Sequence, residues 1–235
     1  MTQHGTRWWI RSAWAGIAAA MLGVGIGTLQ YRAIPGTAAM DWSSMALALV
    51  GFAVLTGVCS GVGIGAGTVA ATRMAPGGAQ PGAVRLAAMG GLGGIAGCAL
   101  PAFVGIAGFG SLQAPYVGTG NLVFCVLLVC TAFVALWAPV LRGEFGRLGR
   151  ATHFGIAAMS SSVAVASLGI LGVSVASALE LVPSAEQILA LAHRVGVQSL
   201  AASACVAIGA AAGATAGFAC WLYLSTARAL ERRAR

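Results

Sequence analysis

The sequence predicts an all-α integral membrane protein, a bundle of six transmembrane helices with both termini cytoplasmic, and three observations lead there. First, of 235 residues 59% are hydrophobic and 8% charged, against about 25% charged in a soluble domain. Adding the 35 glycines brings the apolar share to roughly three quarters, where about half is usual. Second, the apolar residues run in stretches of about 20 or more, the length needed to cross a hydrocarbon layer of about 30 Å at 1.5 Å per residue. Third, every basic residue is arginine and the arginines are unevenly distributed. The whole chain, 1–235, reads as one polytopic membrane domain.

The first span covers about 12–31, between Arg11 and Arg32. The second covers 44–72 and the third 84–109, separated by a loop from Arg73 to Arg85 whose Pro76, Gly77, Gly78, Pro81 and Gly82 forbid a stable helix. The fourth covers 121–141, the fifth 153–179 and the sixth 197–224. Arg7, Arg11, Arg73, Arg85, Arg142, Arg147, Arg150, Arg228, Arg232, Arg233 and Arg235 then fall on one side, leaving Arg32 and Arg194 for the other. Short arginine-rich loops stay cytoplasmic, so both ends are expected inside, in a bacterial cytoplasmic membrane. Trp8, Trp9, Trp14, Trp137, Trp221 and Tyr223 mark the inner interface, and Tyr31 and Trp42 the outer one. The run after Arg11 is too long for a secretory signal and is followed by no small-x-small cleavage site.

Helices in lipid associate where small residues at spacing four let backbones approach. Ala15, Ala19, Gly23 and Gly27 supply that spacing in the first span; Gly57, Gly61 and Gly65 in the second; Gly93, Gly97, Pro101 and Gly105, with Gly90 and Gly94 beside them, in the third; Gly209, Gly213 and Gly217 in the sixth. The fifth has serines at a spacing of seven, Ser160, Ser167 and Ser174, with Ser177 a turn beyond, a candidate polar path. The fourth is bulky throughout and is expected at an edge, against lipid or a partner. Pro101 in the third is the candidate hinge, since a proline removes one helical hydrogen bond. Between the fifth and sixth spans, Ser184 and Gln187 form a capping box. The segment 184–195 is expected to be an outer amphipathic helix, with Ile188, Leu191, Ala192 and Val195 on one face.

Several chemistries are excluded. With no lysine in the chain there can be no Schiff base and no Walker A loop. No Asp, Glu, Arg or His falls deep in a predicted span, against a proton relay or voltage sensor. His4, His153 and His193 are expected at the interface, where they suit neither a haem pair nor a zinc site, and no HExxH motif is present. Cys59, Cys98, Cys125, Cys130, Cys205 and Cys220 all lie in predicted spans and read as small hydrophobes. No catalytic residue, cofactor or metal is expected, and no nucleic acid partner.

What remains is a permease or channel-like transport subunit, with a non-catalytic accessory or assembly subunit of a larger membrane complex as the alternative. The layout resembles that of ABC-2 type export permeases, which have six spans, inward termini and helical elements between the fifth and sixth. The amino-terminal interfacial helix and acidic coupling loop of that family have no counterpart here. The resemblance implies a cytoplasmic ATPase as partner, beside the lipid bilayer and other membrane subunits.

Overall fold

The computed structural model describes residues 8–32, 42–75, 80–108, 148–170 and 193–233, together with positions 174, 175, 178, 179, 187 and 190. Helix is the only regular structure among them. In chain order the elements are α1 (Trp8–Arg32), α2 (Trp42–Arg73), α3 (Ala83–Gly108), α4 (Arg150–Ala164), a π-helical segment (Val165–Ile170) and α5 (Val197–Arg233). Three stretches among the described residues are long and apolar enough to cross a membrane: Ala53–Arg73 in α2, Ala83–Pro101 in α3, and Arg150–Leu168, which runs from α4 into the π-helical segment. The predicted first and sixth spans are helical within α1 and α5. The predicted fourth span, 121–141, lies outside the described residues.

The helices pack as a series, α1 on α2, α2 on α3, α3 on α5 and α5 on α4. The first three seams are built from glycine. A Cβ placed on Gly16 would strike the Gly57 carbonyl, one on Gly61 the Ser12 carbonyl, and one on Gly65 the Ser12 hydroxyl and the Trp8 ring. The residue numbers run in opposite directions, so α1 and α2 are antiparallel. Two residues round α2, Gly63 and Gly67 meet Gly93, Gly97 and Met89 of α3. One residue round α3, Gly90 and Gly94 meet Gly209, Gly213 and Gly217 of α5. A step of one or two residues turns a helix by roughly 100° or 200°, so α2 and α3 each carry two glycine faces and are clasped on both sides. Cys98 occupies the notch that Gly209 leaves, as a small hydrophobe would.

The antiparallel order brings the start of α1, the end of α2, the starts of α3 and α4 and the end of α5 to one end of the array. Arg11, Arg73, Arg85, Arg150, Arg228, Arg232 and Arg233 are on these helix ends, whereas Arg32 closes α1 at the other end. α5 is 37 residues long, about 55 Å at the helical rise. It overtops the turn between α2 and α3, and its far end is still partly packed, with Ala227 fully buried.

Within the predicted fifth span, 153–179, the helix changes its winding. α4 begins at Arg150, and after Ala164 the backbone widens to π geometry through Ile170. Such widened turns are rare and concentrate at functional sites. Before α5, Gly196 takes φ 84°, a left-handed turn that glycine makes without a steric penalty. Of the segment 184–195, Gln187, Ala190 and 193–195 are described, all helical and exposed.

Candidate functional site

α4 meets α5 without glycine contacts, and its seam is where polar side chains collect. Its buried positions recur every three or four residues, at His153, Ile156, Ala157, Ser160, Ser161 and Ala164, the period of a single helix face. His153 comes within 2.6 Å of the Tyr223 hydroxyl through Nδ1, with the rings tilted at 32° and 6.1 Å apart. The histidine is 4% exposed and the tyrosine 0%. In the tautomer protonated on Nε2, the tyrosine donates its O–H to Nδ1. Both residues were expected at the interface, Tyr223 as part of an aromatic belt. Instead they face each other inside the protein, because each supplies the hydrogen-bond partner that the other requires when buried.

A second polar cluster lies at the same level of α5 but round the helix from Tyr223, since a step of two residues turns it by roughly 200°. Gln80, in the turn before α3, donates from Nε2 to the Ser225 hydroxyl at 2.8 Å and to the Trp221 carbonyl at 3.5 Å. Its Oε1 accepts from Arg228 Nη1 at 3.0 Å. One amide thus ties the loop to two turns of α5. Arg228, which the sequence places within reach of Glu231, is engaged by this loop. Arg85 Nη1 donates to the Met74 carbonyl at 3.2 Å, closing the turn across its base. Next to it is an open depression of about 550 Å³ bordered by Gln80, Arg85, Val84 and Met89. Trp221 stacks on Phe218 with centroids 5.7 Å apart.

Of the serines proposed to line a path, Ser160 is buried on the same face as His153, two turns along. Ser161 beside it is also buried and donates to the Ala157 carbonyl at 2.8 Å. Ser167 falls in the π-helical segment and is partly buried, Ser174 is exposed, and Ser177 lies outside the described residues. The widened turn alters the rotation per residue, so a spacing of seven no longer returns to one face across it. Pro101 is buried, and α3 runs through it to Gly108 without a break in the helix. Among the described residues no three of His, Cys, Asp and Glu come together as metal ligands do. What the described seam shows chemically is hydrogen bonding between His153 and Tyr223.

Sequence reasoning missed Gln80 and the partnership of Tyr223. An aromatic at a helix end reads as a belt residue until a histidine is known to face it, and a glutamine in a proline- and glycine-rich loop gives no signal. No protein family, characterised protein or solved structure matches this chain.

Proposed function

We propose that the chain is a six-span membrane protein, with both termini and the arginine-bearing helix ends on the cytoplasmic face of a bacterial inner membrane, that serves as a non-enzymatic permease or channel-like transport subunit. The contrast between two kinds of helix seam carries this reading. The seams joining α1, α2, α3 and α5 close at backbone contact and resist sliding, because packed interiors deform little. α4 is held instead by the His153–Tyr223 contact and by apolar neighbours, with Ser160 and Ser161 buried on the same face, and passes into a π-helical segment. A rigid scaffold beside one differently packed, polar helix suits a polar path that opens along α4. The gathered arginines support the orientation.

The test is permeation. Purified protein in liposomes is assayed by conductance for ions and by swelling for sugars and amino acids. Ser160→Leu should block any flux that the protein confers, and Ser162→Leu, on an exposed position, should spare it. Equal effects of the two substitutions, or vesicles no leakier than protein-free ones, would remove the transport reading.

The accessory-subunit reading has one observation in its favour. The hydroxyls of Ser60, Thr68, Thr72, Ser161 and Thr215 are spent on carbonyls of their own helices, which suits packing rather than conduction. Purification in mild detergent separates the two: a co-purifying cytoplasmic ATPase favours the permease, a stoichiometric energy-transducing complex the accessory subunit.

A further inference from the structure

Thr56 departs from the pattern of the other buried hydroxyls in α2. Thr68 and Thr72 return their protons to carbonyls three or four residues earlier, whereas the Thr56 hydroxyl is fully buried and has no hydrogen-bond partner. Its carbonyl is already taken by the Ser60 hydroxyl at 2.6 Å. A buried polar group with no partner is costly, most of all in a hydrocarbon surrounding.

The register of the α2–α3 seam places at the same level a carbonyl that proline deprives of its helical donor. Gly67 faces Met89, Gly63 faces Gly93, and Gly97 faces Cys59 and Ser60. Each turn forward along α3 therefore matches a turn back along α2, and the next turn sets Pro101 level with Leu55 and Thr56. Pro101 has no N–H, so the Gly97 carbonyl, four residues earlier, lacks its helical donor. A hydroxyl without an acceptor and a carbonyl without its helical donor thus share one stretch of seam with no direct bond between them. The stretch lies inside the apolar segments of both helices, about 25 Å from their arginine-bearing ends at the helical rise.

We infer that a single bound water bridges this gap, accepting from the Thr56 hydroxyl and donating to the Gly97 carbonyl. Ser60 Oγ, its own proton committed, offers lone pairs one turn away as a third partner, and two to four partners are what a buried water takes. The donor set does not suit a cation, because these groups are neutral and neither α2 nor α3 contains a carboxylate to balance a charge held in hydrocarbon. Pro101 is therefore a hydrated position in a continuous helix, its missing hydrogen bond replaced through the neighbouring helix.

A double-mutant cycle in detergent tests this. Thr56→Val should shift the unfolding equilibrium roughly threefold toward the unfolded form, the size of a typical interhelical hydrogen bond in a membrane protein. Thr56→Ser should not. In a Pro101→Ala background, where residue 101 again donates to Gly97, Thr56→Val should be neutral or stabilising. The same loss in both backgrounds overturns the bridge. Replacing sodium and potassium by choline should change nothing, and a Thr56 effect that vanishes in choline identifies a cation and overturns the water. An independent reading needs no variant: in the wild-type protein with labelled threonine methyls, the Thr56 methyl should show cross-relaxation with a long-lived water. A dry Thr56 methyl overturns the inference.

Discussion

Substituting Gly94 by alanine probes the seam between α3 and α5, where a Cβ would strike the Gly209 carbonyl. The added carbon would stand 2.7 Å from the Gly209 carbonyl carbon and 3.4 Å from Gly213 Cα. Unstrained carbons rest about 3.5–4.0 Å apart, so the helices must separate by roughly 0.8 Å or more. That movement is opposed along the whole seam, because Gly90, Gly213 and Gly217 are equally close to backbone on the facing helix. Overpacking of this kind costs about 1–3 kcal/mol, and replacing a helical glycine by alanine returns about 1 kcal/mol. The net effect is a loss of about 0–2 kcal/mol. Gly155→Ala is the control: nothing lies within 4 Å of its Cβ position, so only the gain of about 1 kcal/mol should remain. Unfolding by sodium dodecyl sulfate titration in mild detergent, followed by tryptophan fluorescence, would separate the two by about 1–3 kcal/mol. Gly94→Leu should widen the difference further. If Gly94→Leu were as stable as Gly155→Leu, the close approach of α3 and α5 would not exist and the packing order would have to be redrawn.

Three further outcomes follow from the polar contacts. His153→Phe and Tyr223→Phe each remove one side of a buried hydrogen bond and should each destabilise by about 1–3 kcal/mol. The double variant should lose less than the sum, and strict additivity in the same titration would show that the pair is not coupled. Gln80→Ala releases Arg228 and Ser225, so limited proteolysis should cut the end of α5 sooner, with little change in global stability. An unaltered cleavage rate would show that the glutamine does not hold the helix down. Pro101→Ala, which restores a helical donor to Gly97, should leave the α2–α3 contacts intact, as cysteine cross-linking between those helices would report.

The sequence reveals the elements whose packing depends on small residues. Spacing of four in the second, third and sixth spans corresponds to the faces that meet, because in a membrane close backbone approach is the main route to helix association. In the first span the contact with α2 runs through Ser12 and Gly16, with Ala15 buried beside them. These positions share a face, and a serine serves where a glycine pattern alone would not point. The sequence also shows that α2 and α3 are rich in glycine, but not that each uses two faces, since composition does not reveal how many neighbours a helix has.

The site is less legible. Ser160 is buried on the face of α4 that carries His153, but the regular serine spacing runs into a π-helical turn that no residue pattern announces. His153 and Tyr223 are 70 residues apart, and neither carries a local mark of the other. Gln80 acts only because α5 continues past the loop that holds it. Each depends on how helices distant in the chain are brought together, and hydropathy and charge carry no information about that.

The orientation of the arginine-bearing end underlies both the topology and the proposed role. Paired reporter fusions, one fluorescent only in the cytoplasm and one enzymatic only in the periplasm, placed after Arg235 and after Arg194, decide it in a single experiment. The fusion after Arg235 should fluoresce and the fusion after Arg194 should show enzyme activity. The reverse pattern, or fluorescence from both sites, would show that α5 does not cross the membrane in the proposed sense.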